Sequence, residues 1–176
     1  MYKLSGAALI IAMTTYYGFY LTHQLKERVN VIDAFIYSFD YIQSQIKYGL
    51  TPFPLICKEL SHNINNNIVS AMYKNIYINL TDIVSSKENT FDEIWIGESD
   101  KLLKAGIMKK EEIDILKELR YLNTYIDKEL QIKCIGNVEN KLTNVYKWLQ
   151  SEVKAKTRIY QISGIMAGVV IAIILV

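Results

Sequence analysis

The sequence predicts an all-α protein in which a helical bundle lies between an N-terminal and a C-terminal transmembrane helix. Residues 4–22 and 159–176 contain no charged side chain, and a bilayer core of about 30 Å needs roughly 20 mostly apolar helical residues. The intervening residues, 23–158, are polar and charged, and their apolar positions recur every three to four residues. That spacing is typical of helices with one buried face, and no stretch shows the period-two alternation of a half-buried strand.

The first uncharged run is predicted to continue as a helix to about Tyr48. Six apolar residues after residue 28 are spaced by three and four, which places them on one face of that helix. They are Val29, Ile32, Phe35, Phe39, Ile42 and Ile46. Gly49 is expected to end the helix in a left-handed conformation, which glycine adopts at little cost.

Four shorter helices are predicted next, at about residues 52–60, 68–84, 90–106 and 109–122. Thr51 is expected to cap the first of them, with Pro52 at a position where a missing N–H costs nothing. Thr90 and Glu93 have the spacing of a capping box at the start of the third. Gly106 is expected to end that third helix.

A long last helix is predicted to begin near Thr124 and to continue through the second uncharged run. No proline interrupts residues 125–176, and proline is the residue that most reliably breaks a helix. Its apolar positions again recur at three and four: Ile135, Val138, Leu142, Val145 and Leu149. The two long helices are therefore expected to lie side by side and antiparallel, as a coiled coil.

The charges beside the two uncharged runs predict the orientation in the membrane. Five basic residues border the bundle side of the runs: Lys26, Arg28, Lys154, Lys156 and Arg158. Lys3 and the α-amino group stand on the other side. Short flanks rich in lysine and arginine stay in the cytoplasm, so the bundle is expected to face the cytosol with both termini outside. The alternative interpretation of these charges is lipid contact.

A secretory signal is the alternative interpretation of the first run. Lys3 would supply its basic region and Leu4–Met13 its apolar region, but a small-x-small cleavage site should follow. The residues that follow, from Tyr16 to Tyr20, are bulky and mostly aromatic. Aromatic residues of this kind form an interfacial belt on a retained membrane helix, so retention is favoured.

Small residues in both runs predict close packing of membrane helices. Gly164 and Gly168 form a Gly-x-x-x-Gly pair, and Ala8 and Ala12 form a similar pair in the first run. Small residues at this spacing let helix backbones approach each other in lipid. Two interpretations stay open: docking to another membrane protein or a second copy, and packing of the chain's own two spans.

Composition and motifs exclude several function classes. A net charge of +2 over 176 residues gives no basic face for nucleic acid. His23 and His62 stand apart from any metal-ligand spacing, and no phosphate-binding loop or nucleophile elbow is present. We therefore predict no cofactor, no metal, no small-molecule substrate and no enzymatic activity.

Three further groups of residues have structural interpretations that compete with functional ones. Cys57 and Cys134 are expected to be small buried apolar residues, because disulfides are rare in the cytosol. Tyr73 and Tyr77 are kept as candidate partner contacts among the many tyrosines, since tyrosine is enriched at interfaces. An acidic cluster near residue 112 is expected to complement a helix dipole; its members are Glu111, Glu112 and Asp114.

Several segments together resemble the stage III sporulation protein AB family. The best match is Gln45 to Pro54, which reads Gln-Ile-Lys-Tyr-Gly-Leu-Thr-Pro-Phe-Pro. Phe53 stands where the family commonly has leucine, and Leu122-Asn123 stands where it usually has Leu-Gly. The other matching segments are Lys3-Leu4-x-Gly6, Gly18-Phe19, Glu27-Arg28, Phe91-x-Glu93-x-Trp95, Lys110 to Leu116 and Asp127 to Gln131.

The resemblance implies a place in the apparatus that links mother cell and forespore in endospore-forming bacteria. The family is similar to the F-type platform proteins of type II secretion and type IV pilus machines, which are helical, membrane-embedded and non-enzymatic. It implies a bundle in the mother-cell cytosol and spans in the membrane around the forespore. The implied partners are other channel-complex subunits, including a secretion-type ATPase similar to stage III sporulation protein AA. Further copies of the chain are expected as partners as well.

Two rival functions stay open beside the platform. One is a membrane-anchored structural scaffold that acts without an ATPase. The other is a membrane-anchored enzyme whose site is assembled from scattered residues, which a polar cleft in the folded domain would support.

Overall fold

The computed structural model describes residues 2–49, 51–82, 90–124 and 127–175. These residues are almost entirely helical and include no strand, which confirms the predicted all-α class. Two helices are long, α1 (Tyr2–Tyr48) and α6 (Lys128–Leu175). The shorter elements between them are α2 (Phe53–Asn63), α3 (Asn67–Thr81), α4 (Phe91–Lys104), α5 (Lys110–Lys117) and a 3-10 helix (Glu118–Thr124).

The chain divides into two compact units. Residues Asn30–Tyr146 form one unit, here called the bundle unit, and residues 1–29 and 147–176 form the other, the two-helix unit. Each long helix contributes residues to both units. The predicted bounds of the bundle, 23–158, enclose the bundle unit.

Within the described parts of the chain, no helix combines the length and the apolar character that crossing a membrane requires. The predicted transmembrane helices at 4–22 and 159–176 are therefore not confirmed and stay predictions.

The core of the bundle unit contains the predicted apolar face of α1. Ile32, Phe35, Phe39 and Ile42 are each at most 2% exposed, whereas Ile46 is half-buried. On α6 the buried positions follow the predicted spacing through Ile135, Val138 and Leu142. Both helices thus bury the face that their sequence pattern indicates.

The two long helices run antiparallel within the bundle unit. Gln43 of α1 bonds to Glu139 of α6, and Asp40 lies within electrostatic range of the same carboxylate. Gly49, just after α1, shares a cavity with Lys128 at the start of α6. Residue numbers therefore rise along one helix as they fall along the other, which confirms the antiparallel arrangement here. The more specific prediction of a coiled coil is not supported.

The end of α1 differs from the prediction. α1 stops at Tyr48, but Gly49 is not left-handed, since Gly106 is the one described glycine with a positive φ, 69°. A Cβ at Gly49 would lie 2.7 Å from Oε1 and 2.8 Å from the backbone oxygen of Gln45. Close approach to Gln45, rather than an unusual φ, is what requires glycine at this position.

The N-cap predicted at Thr51 is also wrong. α2 begins at Phe53 with Pro52 as its N-cap residue, and no side chain caps it. The Thr51 hydroxyl donates instead to Oε1 of Gln45 at 3.1 Å. The threonine therefore ties the turn back to α1.

Two of the predictions for the ends of α4 are confirmed, the threonine cap and the glycine stop. The Thr90 hydroxyl accepts from the backbone N–H of Glu93 at 3.4 Å, and α4 ends at Lys104 just before the left-handed Gly106.

The predicted helix over 109–122 is broken in the structure. α5 ends at Lys117 and a 3-10 helix follows. The indole Nε1–H of Trp95 donates to the backbone oxygen of Leu116 at 2.7 Å. In a continuous α-helix this oxygen would accept from the N–H four residues on, so the indole from α4 competes with the helical bond. α6 then begins at Lys128 rather than near Thr124.

Candidate functional site

A cavity of about 300 Å³ lies in the bundle unit where α1 ends and α6 begins. Its apolar lining comes from Ile46, Phe53, Ile56 and Leu122. Its remaining lining residues are Gln45, Gly49, Thr51, Lys128 and Gln131. We refer to it as the turn cavity.

The tight turn after α1 shapes the turn cavity. Gly49 lets the backbone pass against Gln45, and its N–H donates to the oxygen of Gln45 at 2.8 Å. On the far side of the turn, the Thr51 hydroxyl donates a hydrogen bond to the side-chain oxygen of Gln45. Phe53 then follows Pro52 directly and enters the first turn of α2, where it lines the cavity.

A series of aromatic rings in contact extends from the turn cavity into the bundle core. Phe53 packs edge-on against Phe91, with ring centroids 5.2 Å apart, and Phe91 stacks on Trp95 at 5.8 Å. Trp95 in turn contacts Tyr73 with centroids 6.3 Å apart. Aromatic pairs in these geometries contribute about 0.5–1.5 kcal/mol beyond the area they bury. The chain of rings joins α2, α4 and α3.

The turn cavity combines apolar and hydrogen-bonding groups. Its floor is apolar, while amides and a hydroxyl at Gln45, Thr51 and Gln131 offer hydrogen bonds and Lys128 offers a positive charge. The nine lining residues that the structure describes contribute amide, hydroxyl, ammonium and hydrocarbon groups.

A polar cleft of about 470 Å³ also opens on the bundle unit, between α1 and the turn after α2. Among the lining residues that the structure describes, Asp33 is the one carboxylate and most of the others are asparagines. One of them, Asn66, already caps α3 by accepting from the N–H groups of Ile68 and Val69 at 3.1 Å.

The two-helix unit contains a groove between α1 and α6. It measures about 430 Å³, and we refer to it as the interhelical groove. Met13, Tyr17 and Leu21 line it from α1, and Tyr160 lines it from α6. Its small lining residues are Gly18, Ser163 and Ala167, with Thr14 beside them.

Large apolar side chains are exposed around this groove. Tyr16 is 74% exposed on α1 and Ile173 is 72% exposed on α6. Many large apolar side chains exposed in one unit are typical of a surface that associates with membranes or proteins. Further exposed apolar residues of the two-helix unit are Leu9, Met13, Tyr17, Phe19, Tyr20, Trp148, Ile159, Ile162, Met166, Val169, Val170 and Ile171.

Tyr73, a predicted partner contact, lies in the core and is 0% exposed. The Ser38 hydroxyl donates to the oxygen of Phe35 at 2.8 Å, so the Tyr73 hydroxyl is the donor in its 2.7 Å bond to Ser38. Burial raises the pKa of Tyr73. Because no surface of this ring is accessible, the proposal of a partner contact at Tyr73 is corrected to a core role.

Tyr77, the second candidate, is half-buried on α3. The ammonium of Lys58 lies 5.7 Å from its ring centroid, which is within the range of a cation–π contact. Ile78 beside it is 47% exposed. A partner contact at Tyr77 stays a prediction.

The small residues predicted to pack membrane helices are only partly described. Ala12 is exposed on α1. The side-chain surroundings of Ala8, Gly164 and Gly168 lie outside the described residues, so this packing stays a prediction. Sequence reasoning missed Ser163 and Ala167, which line the interhelical groove. Ser163 and Ala167 each precede one of the predicted glycines by one residue, so they form a second pair of small residues with the same four-residue spacing.

The cysteines and charged candidates have structural roles. Cys57 and Cys134 are both free; Cys57 is buried as predicted, whereas Cys134 is only half-buried. Burial raises the pKa of Cys57 to about 12. The carboxylate of Glu112 is 2% exposed and accepts from the N–H of Lys109 at 2.8 Å, which caps α5. Nδ1 of His62 lies 2.8 Å from the oxygen of Lys58. Over the described ranges, no three histidine, cysteine or acidic side chains are grouped as metal ligands.

These observations define an all-α protein with a packed bundle, a partly apolar cavity in that bundle and two long helices that expose apolar side chains. The family model for stage III sporulation protein AB matches residues 3–176, and the chain belongs to that family. This confirms the resemblance inferred from Gln45 to Pro54 and the other segments, and it supports a role in sporulation. Neither a curated protein nor a solved structure gives a significant match.

The fold brings the segments that carry the resemblance together at the turn cavity. The stretch from Gln45 to Pro54 contributes Gln45, Ile46, Gly49, Thr51 and Phe53 to the lining. The segment from Asp127 to Gln131 contributes two more lining residues, and Phe91 contacts the cavity residue Phe53. Sequence reasoning recognised these segments but not their convergence, because nothing in a single sequence pairs distant segments.

Proposed function

We propose that this protein is a non-enzymatic platform subunit of the membrane complex that links mother cell and forespore during endospore formation. One observation carries the proposal: α1 and α6 each run as a single helix from the bundle unit into the two-helix unit. Two such helices give a direct mechanical path between a globular body and an apolar anchor. Family membership supports the sporulation context.

In this proposal the two-helix unit is the membrane anchor. The uncharged runs 4–22 and 159–176 and the exposed apolar side chains of the unit support this assignment. The basic residues that border the runs support an orientation with the bundle unit in the mother-cell cytosol. The spans would then lie in the membrane that surrounds the forespore.

The bundle unit is proposed to bind a secretion-type ATPase similar to stage III sporulation protein AA. The turn cavity is the proposed contact, because it combines an apolar floor with hydrogen-bonding groups and one cation at Lys128. α1 and α6 would pass the effect of that contact to the envelope assembly. The chemistry of the two bundle cavities favours this platform over a membrane-anchored enzyme.

A glycine insertion in α6 tests the mechanical part of the proposal. We expect two glycines inserted between Lys154 and Ala155 to lower the yield of heat-resistant spores to that of a deletion strain. The insertion loosens the helix and rotates everything beyond it by about 200°, while the protein level in membranes should be retained.

The matched control replaces the same two residues without changing the register. Lys154→Gly with Ala155→Gly carries the same two glycines at exposed positions, at a cost of about 2 kcal/mol in helix propensity. Its spore yield should stay near that of the wild type. A wild-type yield from the insertion variant would contradict mechanical coupling through α6.

Copurification separates the platform from a scaffold that acts without an ATPase. The ATPase should copurify with the full chain, and Lys128→Glu at the turn cavity should lower its recovery. Lys133→Glu makes the same charge change at another exposed position of α6, outside the cavity lining, and should leave recovery unchanged. No recovery with the wild-type chain would favour the scaffold.

A further inference from the structure

We propose that the two-helix unit binds one anionic phospholipid, with an acyl chain in the interhelical groove and the phosphate at Lys156. This proposal rests on the membrane attachment proposed above and names the lipid class that the anchor recognises.

The interhelical groove has the shape of a chain-binding site. Its lining on α1 runs from Met13 to Leu21, which is about 12 Å along the helix axis. Its small residues, such as Ser163 and Ala167, lie among bulky ones such as Tyr160. A long, carbon-lined groove of about 430 Å³ suits an extended hydrocarbon better than a compact polar ligand.

A basic belt adjoins one end of the groove. Residues 23–29 and 147–158 of the two-helix unit carry six cationic side chains and two carboxylates. Juxtamembrane cations of this kind attract anionic lipids. The groove itself lies within the uncharged runs 4–22 and 159–176, whereas the belt beside it is basic. The molecule that fits both therefore has an apolar chain and an anionic head.

Lys156 is the cation best placed to meet that head. It precedes the groove residue Tyr160 by four positions, so both lie on the same face of α6. Its ammonium pairs with the carboxylate of Glu152, and the Lys156 side chain is 43% exposed. An ammonium has three donors, so the ion pair leaves others to reach a phosphate oxygen.

Arg28 approaches from the other helix. It follows the groove residue Leu21 by seven positions, which is two turns along the same face of α1. As a residue, Arg28 is half-buried. The groove therefore has basic residues beyond the same end on both helices.

Lipid retention by the full-length chain tests the proposal. The chain is purified in mild detergent, mixed with equal amounts of phosphatidylglycerol and phosphatidylcholine, and measured by native mass spectrometry. We expect retained phosphatidylglycerol to exceed phosphatidylcholine clearly. Lys156→Gln should lower this preference about fivefold, the effect of one cation at an anionic surface.

Matched variants separate the site from general charge and bulk. Lys154→Gln removes an equal charge from an exposed position away from the groove face and should leave the preference unchanged. Ala167→Leu fills the groove and should abolish retention of both lipids. Ala155→Leu adds the same bulk outside the groove lining and should retain them.

Flotation of the wild-type chain with phosphatidylcholine vesicles separates the two possible failures. A chain that does not float overturns the membrane part of the proposed function, and this proposal with it. A chain that floats but retains both lipids equally overturns only this proposal. Loss of a copurifying membrane protein from Ala167→Leu, with lipid retention unchanged, would also overturn it and would assign the groove to a partner helix.

Discussion

At the scale of single residues, Gly49 is expected to be necessary for the turn that shapes the turn cavity. Gly49→Ala should lower the free energy of unfolding by about 1–3 kcal/mol, because its Cβ would overlap two oxygens of Gln45 at 2.7 and 2.8 Å. Urea unfolding of the full chain, followed by circular dichroism, measures this change.

Gly97 provides the control for that substitution. It lies within α4, and a Cβ there would meet nothing within 4 Å. Gly97→Ala should therefore raise the free energy of unfolding by about 0.5–1 kcal/mol, the usual gain of alanine over glycine inside a helix. Equal changes at the two positions would contradict the close approach at Gly49.

Cys57 is expected to be unreactive in the folded protein. Burial raises its pKa to about 12, so at pH 8 only about one thiol in ten thousand is ionised, and the thiolate is the reactive form. The chain with Cys134→Ser should resist maleimide until it is unfolded, whereas the chain with Cys57→Ala should label at the half-buried Cys134. Labelling of native Cys57 at the rate of a free thiol would show that the site opens.

At the scale of elements, Asn66 is expected to set the start of α3. Its side-chain oxygen accepts from two N–H groups at the helix start, and removing such a cap typically costs about 1 kcal/mol. Asn66→Ala should lower the free energy of unfolding by that amount. Asn65→Ala, one exposed residue earlier, should change it by less than half as much, and the reverse order would contradict the assigned cap.

Helix existence could be predicted from local pattern, whereas several helix ends could not. The spacing of Ile32, Phe35 and Phe39 was sufficient for α1, and Gly106 was sufficient for the end of α4. The break after Lys117 coincides with a bond from the indole of Trp95, which reaches Leu116 from another helix. No local rule contains that bond, so a sequence pattern alone extended α5 too far.

At the scale of the whole molecule, the family could be predicted but the turn cavity could not. The order of the motifs between Gln45 and Gln131 can be recognised in the sequence itself, and the family match confirms the predicted family. The location of Tyr73 could not be predicted either, because a single tyrosine in a helix gives the same sequence pattern whether it faces a partner or the core. Only the packing of α3 against α1 and α4, through Ser38 and Trp95, places it inside.

The central claim is that the bundle unit faces the cytosol, where an ATPase can reach it. A cysteine introduced by Lys74→Cys on the exposed face of α3, in a chain with Cys134→Ser, reports the side of the membrane. Lys3→Cys serves as the control for the opposite side. Both chains are treated with a membrane-impermeant maleimide in intact and in permeabilised cells. The account predicts that Lys74→Cys labels only after permeabilisation while Lys3→Cys labels in intact cells. Labelling of Lys74→Cys in intact cells would contradict the account, because it would place the bundle beyond the reach of a cytosolic ATPase.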